Sequence, residues 1–256
     1  MSDMTIEEYE KLNPIIGLEY KGTKIVYCIP NAHTLWRVHT LQSKEPDTLE
    51  WIAGFDKDDV LLDVGANVGM YTIWAAMTAG VSVYAFEPEA QNYALLNKNI
   101  FSNNLQDRVI AYAAALSDEA GFSDLHLSGF LIGGSCHSFG EAVDYHLQPR
   151  NTGLRQGCFS TTLDAIVESG VLPCPTHIKI DVDGIEHKVI AGADKTLDDA
   201  RVRSVLVELN TNLVQHRAII DQLESRGFAL QREKLAQSIR QEGDFKGVGN
   251  HIFQRH

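Results

Sequence analysis

Lysine and arginine clusters longer than a dipeptide are missing from these 256 residues, and the formal net charge is −12. Nucleic acid is therefore not an expected partner, because binding a phosphate backbone leaves a basic footprint. Cysteine is scarce, and Cys28, Cys136, Cys158 and Cys174 show no CxxC spacing, which points to reduced thiols. No apolar window approaches the roughly 20 residues needed to span a bilayer. The N-terminus also lacks the basic, apolar, small-residue order of a signal peptide. A cytoplasmic protein with at most a peripheral membrane role is the expectation. Internal repeats and low-complexity tracts are absent as well.

What is present suits one large α/β core with an extension, since 44% of the residues are hydrophobic and the length is too short for several independent domains. From residue 60 onward, β-rich runs alternate with helical patterns, which predicts a mostly parallel sheet covered on both faces. The strand candidates are Val60 to Val64, Val81 to Phe86, Val109 to Leu116, His177 to Val182 and Val202 to Leu209, with weaker ones at Phe228 to Arg232 and His251 to Gln254. Helices are expected over Met70 to Ala79, Glu89 to Asn103, Thr161 to Ser169, Glu186 to Leu197 and Asn212 to Arg226, from apolar residues three or four apart. Pro88 would start the second of these and Gly227 would follow the last.

Two regions break the alternation. Residues 1–59 read as an acidic opening helix, a hairpin made by "KIVYCIP" and "LWRVHTL" around Asn31-Ala32-His33, and a short helix near Thr48 to Phe55. Together they are expected to cap the main domain of residues 60–256. Residues 118–160 exceed by far the usual connection of about 4 to 6 residues, and the segment, which holds "GFLIGGSCHSFGE", is expected to be a substrate-side insertion or lid.

The most informative stretch is "LLDVGANVGMYT", an apolar run that ends on Asp63 and breaks into Gly65, Asn67 and Gly69. A strand running into glycines and then a helix lets backbone approach a ligand, since glycine has no Cβ and tolerates positive φ. A carboxylate beside that turn would repel a diphosphate, but it suits an ammonium group and favours a nearby sulfonium. Glu87 follows Gly65 by 22 residues, at the end of the second strand. An acid there can accept both hydroxyls of a ribose. A free ribose joined to a cationic tail describes S-adenosylmethionine, with NAD as the chemical competitor.

The blocks "LLDVGANVGMYT", "YAFEPEAQNYALLNKNI", "AALSDEAG", "TTLDAIV", "IKIDVDGIEHKVIAGA" and "VLVELN" resemble, in order, those of the FkbM family of S-adenosylmethionine-dependent methyltransferases. They run from about residue 60 to 210. The resemblance implies a class I methyltransferase, Rossmann-like α/β sheet of seven strands in the order 3-2-1-4-5-7-6, the last strand antiparallel. It also implies that Asp63, Gly65, Asn67 and Gly69 line the methionine part of the donor, that Glu87 binds the ribose, and that Ala114, Ala115 and Leu116 lie near the adenine. Family members generally methylate hydroxyls of sugars or other natural products. One departure is visible, for Asp183 stands where the family usually carries a glutamate.

Ligands of such sheets occupy the crevice beyond the strand C-termini, where strand order reverses. Asp63 and Asp181 end the two strands flanking that point, so the acceptor hydroxyl is expected beside "DVDGIEH". Asp181 is the first candidate for the proton acceptor and a donor contact, and Asp183 is the second. A helix N-cap near Ile185 is the competing reading of Asp183, and Glu186 would complement the helix dipole. His137 in the insertion is a third candidate, either as proton acceptor or as sugar contact, and Tyr145, His146 and Arg150 could also meet an acceptor. Cys136 reads as a structural thiol. Asp181, Asp183 and Glu208 could hold magnesium or calcium, but no dedicated metal loop is present and no metal is assigned.

The expected activity is transfer of a methyl group to an oxygen of a small-molecule or glycan acceptor. N-methylation is disfavoured by the absence of an "NPPY"-type segment after the fourth strand, and non-catalytic binding of the nucleoside is the rival from another class. The sequence leaves room for a homo-oligomer.

Overall fold

The computed structural model describes residues 4–255. Among them no helix is long and apolar enough to cross a membrane. Helix α1 (Ile6–Lys11) is closed by a reciprocal capping box between Thr5 and Glu8. Strands β1 (Ile15–Tyr20) and β2 (Thr23–Cys28) pair antiparallel across Lys21-Gly22, both at positive φ, as a tight hairpin turn requires. The expected hairpin partner "LWRVHTL" is instead part of α2 (Ala32–Lys44), whose N-cap Asn31 accepts a hydrogen bond from the Thr34 amide. Thr34, Val38 and Leu41 are its buried residues. That spacing is helical, whereas the β-branched and aromatic content suggested a strand. Helix α3 follows (Pro46–Ala53).

The main sheet begins with β3 (Val60–Val64), α4 (Met70–Thr78), β4 (Ser82–Phe86), α5 (Ala90–Ser102) and β5 (Val109–Tyr112). Pro88 is not the first residue of α5. Glu89 caps that helix by accepting from the Asn92 amide at 2.7 Å, which leaves Pro88 one position outside. The run expected as one strand to Leu116 divides, and β6 (Ala115–Leu116) joins a second sheet with β7 (Gly121–His126), β8 (Ser138–Phe139) and β9 (Arg155–Thr161). The insertion is thus built on a four-stranded sheet in the order β6-β9-β7-β8.

The chain returns through α6 (Leu163–Glu168), β10 (His177–Ile180), α7 (Glu186–Ala191), α8 (Asp194–Asp198), β11 (Ser204–Asn210), α9 (Val214–Ser225), β12 (Phe228–Leu230), α10 (Arg232–Ser238) and β13 (Val248–Arg255). The single helix expected over Glu186 to Leu197 breaks at Gly192. A Cβ there would fall 2.0 Å from the Ser117 carbonyl oxygen, so the backbone of the insertion's root packs directly on the break. Gly227, at φ 85°, follows α9 as expected.

The seven-stranded sheet has the order β12-β13-β11-β10-β3-β4-β5, with β13 antiparallel to both neighbours and the other pairings parallel. In strand sequence this reads 3-2-1-4-5-7-6 from the opposite edge. Side chains alternate across it. Leu61 and Val83 pack with α2 to α5 on one face, while Leu62, Val64, Ile178 and Val205 pack with α6 to α9 on the other. The central strands are buried on both faces and mostly apolar, as expected of a parallel sheet, although Asp63, His177 and Lys179 are buried among them. The hairpin, α2 and α3 share the first of these cores through Ile25, Tyr27, Val38, Leu41, Trp51 and Ile52.

Candidate functional site

Strand order reverses between β3 and β10, and their C-terminal loops open a crevice there. Val64 pairs with Ile180, so the next residues of the two strands leave the sheet side by side. Gly65 adopts φ 79°, and a Cβ on it would lie 1.9 Å from the Asp181 carbonyl oxygen. No other residue fits this approach, because every L side chain begins with a Cβ. Asn67 is also left-handed at φ 51°. Its amide donates to Glu87 Oε2 at 2.7 Å, and its side-chain nitrogen donates to the Gly134 carbonyl of the insertion at 2.7 Å.

A cavity opens here whose wall includes Gly65, Asn67, Glu87, Ala115 and Leu116. Three further residues singled out in the sequence, His137, Asp181 and Asp183, complete its rim. Glu87 is 5% exposed, and its second oxygen accepts from the Glu89 amide at 2.8 Å. Burial pushes its carboxyl up to about 8, against those two amides, which favour the charged form. Beside it, Phe86, Leu116, Leu125 and Phe139 make an apolar slot. A fixed carboxyl group next to such a slot matches a ribose followed by a flat base, so these residues fit the nucleoside of S-adenosylmethionine.

Asp63 and Gly69 do not line this cavity. The Asp63 side chain is 1% exposed and turns into the protein, where Oδ2 accepts the Thr72 hydroxyl at 2.5 Å. Its Oδ1 has no partner among the described residues, and burial raises its pKa. Gly69 is the left-handed N-cap of α4, where a Cβ would meet Leu96 Cδ1 at 2.5 Å. Its role in the fold is to let α4 settle against α5.

Asp181 and Asp183 stand where this cavity meets a second one of about 310 Å³, whose outer wall is Trp36 and Arg37 of α2, with Lys44, Arg240 and Phe245. Asp181 receives the Lys179 ammonium at 3.0 Å. Burial alone would lower that buried lysine, but the carboxylates of Asp181, Asp63 and Glu45 outweigh it and hold the ammonium above the ordinary lysine range. Asp183 is left-handed at φ 59° and accepts from the Cys136 amide at 2.6 Å. Burial, reinforced by the charge of Asp181, pushes it up to about 6. The N-cap reading of Asp183 does not hold, for α7 has no side-chain cap. Glu186 takes the neighbouring amides instead, accepting from Val182 and Gly184 at 3.1 Å. It is 1% exposed and stands in the first turn of α7, where the sequence put it.

Glu186 also lies 3.2 Å from His216 Nε2. Burial pushes this carboxyl up to about 8 and the histidine down to about 4, so the contact joins neutral groups at neutral pH.

Asp181, Asp183 and Glu208 each place one oxygen within 4.8 Å of the others, a set of hard donors able to receive a divalent cation. Glu208 already accepts from Arg240 at 2.9 Å, and burial raises it. Cys136 is pushed up to about 12 by burial and by Asp183, so it is no nucleophile at neutral pH. Tyr145 stacks on Phe245 with ring centroids 4.4 Å apart, His146 approaches Asn210 at 3.3 Å, and Arg150 donates to the Cys136 carbonyl. Sequence reasoning missed Trp36, Arg37, Lys44, Lys179, Arg240 and Phe245. Of these only Lys179 had a local signal, two positions before Asp181 on the same strand.

Residues 63–230 match the methyltransferase FkbM domain model. The 31-O-demethyl-FK506 methyltransferase FkbM of Streptomyces tacrolimicus is 32% identical over 198 residues, which are 69% of this chain and 75% of that protein. The hexuronic acid methyltransferase AglP of Haloferax volcanii is 26% identical over 201 residues, 78% of this chain and 76% of the relative. In fold, the chain is similar to the crystal structure of methyltransferase FkbM from Methylobacillus flagellatus KT, with a TM-score of 0.52 at 11% identity. That likeness covers 88% of this chain and 56% of the other. The chain belongs to the FkbM family of S-adenosylmethionine-dependent methyltransferases.

Proposed function

We propose that the chain methylates a hydroxyl oxygen of a sugar or a related natural product. The observation that carries this is the meeting of the two cavities at Asp181 and Asp183. In this reading Glu87 holds the ribose, Gly65 and Asn67 bring their backbone to the donor, and Ala115 and Leu116 border the base. S-adenosylmethionine supplies an electrophilic methyl group when bound.

The remaining chemistry belongs to the chain. Positioning contributes much of the rate for a displacement between two bound partners, and the crevice offers two walls for it. Trp36 and Phe245 present flat apolar surfaces, while Arg37, Lys44 and Arg240 present cations. Such a wall accepts the apolar face of a pyranose, and it would pair with the carboxylate of an acidic sugar such as a hexuronic acid. Asp183, raised to about 6 and standing where the two cavities meet, takes the hydroxyl proton. Asp181, held by Lys179, orients the same hydroxyl.

The test is a labelled methyl donor offered with a panel of neutral sugars, hexuronic acids and hydroxylated macrolides. Product analysis should find an O-methyl ether. With an acceptor in hand, Asp183→Asn should lower turnover by about 10²- to 10⁴-fold, the usual worth of a general base, and leave binding of S-adenosylhomocysteine within a few-fold. Wild-type turnover should rise with pH through about 6, as Asp183 loses its proton. A methyl ester or a C-methylated product in place of the ether, or an Asp183→Asn enzyme as fast as wild type, would overturn the reading.

A further inference from the structure

His137 lies in the insertion, just before β8, on the wall of the cavity that holds Glu87. The Ser128 amide donates to its Nδ1 at 3.1 Å. A ring nitrogen that accepts cannot carry the proton, so the proton of the neutral imidazole sits on Nε2. That Nε2–H is buried and has no hydrogen-bond partner among the described residues. Buried donors are nearly always matched, and an unmatched one calls for an explanation.

The position of this donor group is set by several ties. A Cβ on Gly134 would lie 3.8 Å from His137 Nε2, so that backbone is a close neighbour. The Gly134 carbonyl in turn accepts from Asn67 Nδ2 at 2.7 Å and from Asn92 Nδ2 at 3.1 Å. Asn67 is the residue whose amide holds Glu87. The strap is fastened on its other side by Arg37, whose Nε donates to the Gly133 carbonyl at 2.7 Å, and by Asn92, which accepts from the Gly133 amide at 2.7 Å. His137 therefore follows a strap that is tied down along the cavity wall, and it keeps one unmatched donor.

We infer that His137 is a donor-holding residue whose Nε2–H hydrogen-bonds an oxygen or nitrogen of the bound methyl donor's nucleoside, and that it does not take the acceptor's proton. This rests on the reading of the cavity as the S-adenosylmethionine site. The unmatched nitrogen carries the proton and has no lone pair to receive another, and the one with a lone pair is occupied by Ser128. The role adds a polar contact from the insertion to the apolar slot that Leu125 and Phe139 already contribute.

Calorimetry with S-adenosylhomocysteine and with 5′-methylthioadenosine, which lacks the amino-acid tail, tests the inference without any turnover. His137→Asn keeps an acceptor near Nδ1 for the Ser128 amide but has nothing at Nε2. It should weaken both ligands by about tenfold, the worth of one net hydrogen bond, while the ligand-free melting temperature stays put. His137→Gln, whose amide nitrogen reaches the Nε2 position, should restore most of the affinity. In protein labelled with ¹⁵N-histidine, the resonance lost in His137→Asn should show the Nε2–H tautomer and slower proton exchange once S-adenosylhomocysteine is added. Unchanged affinity in His137→Asn, or an Nδ1–H tautomer, overturns the inference and leaves the donor site standing. A loss seen with S-adenosylhomocysteine but not with methylthioadenosine overturns the nucleoside assignment. No heat from the wild-type protein with either ligand overturns the donor reading itself, and this inference with it.

Discussion

Replacing Gly65 by alanine is the sharpest perturbation of this site, because the opposing group is backbone and cannot rotate away. The new Cβ would stand 1.9 Å from the Asp181 carbonyl oxygen and 2.9 Å from its carbon, where ordinary contact begins at 3.4 Å. The ends of β3 and β10 must then part by more than an ångström, or Gly65 must leave φ 79°. A left-handed alanine costs about 1–2 kcal/mol, and forcing a group into a packed site costs about 1–3 kcal/mol more. The sum of roughly 2–5 kcal/mol predicts a melting temperature lowered by about 5–20 °C for a domain of this size. Gly227→Ala is the control, since that glycine is equally left-handed at φ 85° but has nothing within 4 Å of its Cβ. Scanning calorimetry of both variants separates the backbone penalty they share from the close approach that only Gly65 makes. Titration with S-adenosylhomocysteine then reads the damage to the crevice. Gly65→Ala melting as high as Gly227→Ala and binding the ligand normally would refute the contact between the two strand ends.

Two further outcomes follow from the same geometry. Glu87 and Glu186 are each pushed to about 8, so between about pH 4.5 and 8 the native state binds more protons than the unfolded chain, and stability falls as pH rises. Glu87→Gln should flatten part of that slope in denaturant titrations at pH 5 and pH 8, and equal slopes for variant and wild type would show that the carboxyl is not held neutral. Asn67→Gly keeps the left-handed backbone but loses the side-chain bond to Gly134. Amide exchange across residues 131–137 should accelerate, and an unchanged exchange pattern would mean that Arg37, Asn92 and Asp183 hold the strap without it.

The outline of the main sheet was legible because parallel strands buried on both faces must be apolar throughout, and such runs stand out between helical repeats. "VLLDV" and "VYAF" are largely of this kind and became central strands, while "HIKI" became one despite burying His177 and Lys179. The glycine turn was legible for a local reason too, as positive φ at Gly65 is written into the residue type. Local patterns misled where one segment satisfies two periods. In "LWRVHTL" the apolar content suits a strand, but the capping interaction of Asn31 with Thr34 and the burial of Thr34, Val38 and Leu41 made it helical. The Lys21-Gly22 turn lay one strand upstream of the expected one.

By itself the sequence determined the β/α order and put the acids Glu87, Asp181 and Asp183 at strand ends, where the structure finds them lining one crevice, since each depends on local pattern. Only the tertiary structure decided that Asp63 turns inward to Thr72, that Arg37, Lys44, Arg240 and Phe245 close one wall from opposite ends of the chain, and that the insertion is pinned over the crevice by Asn67, Asn92 and Asp183. Side-chain direction and contacts between residues distant in sequence depend on how whole layers pack, and no local spacing encodes that.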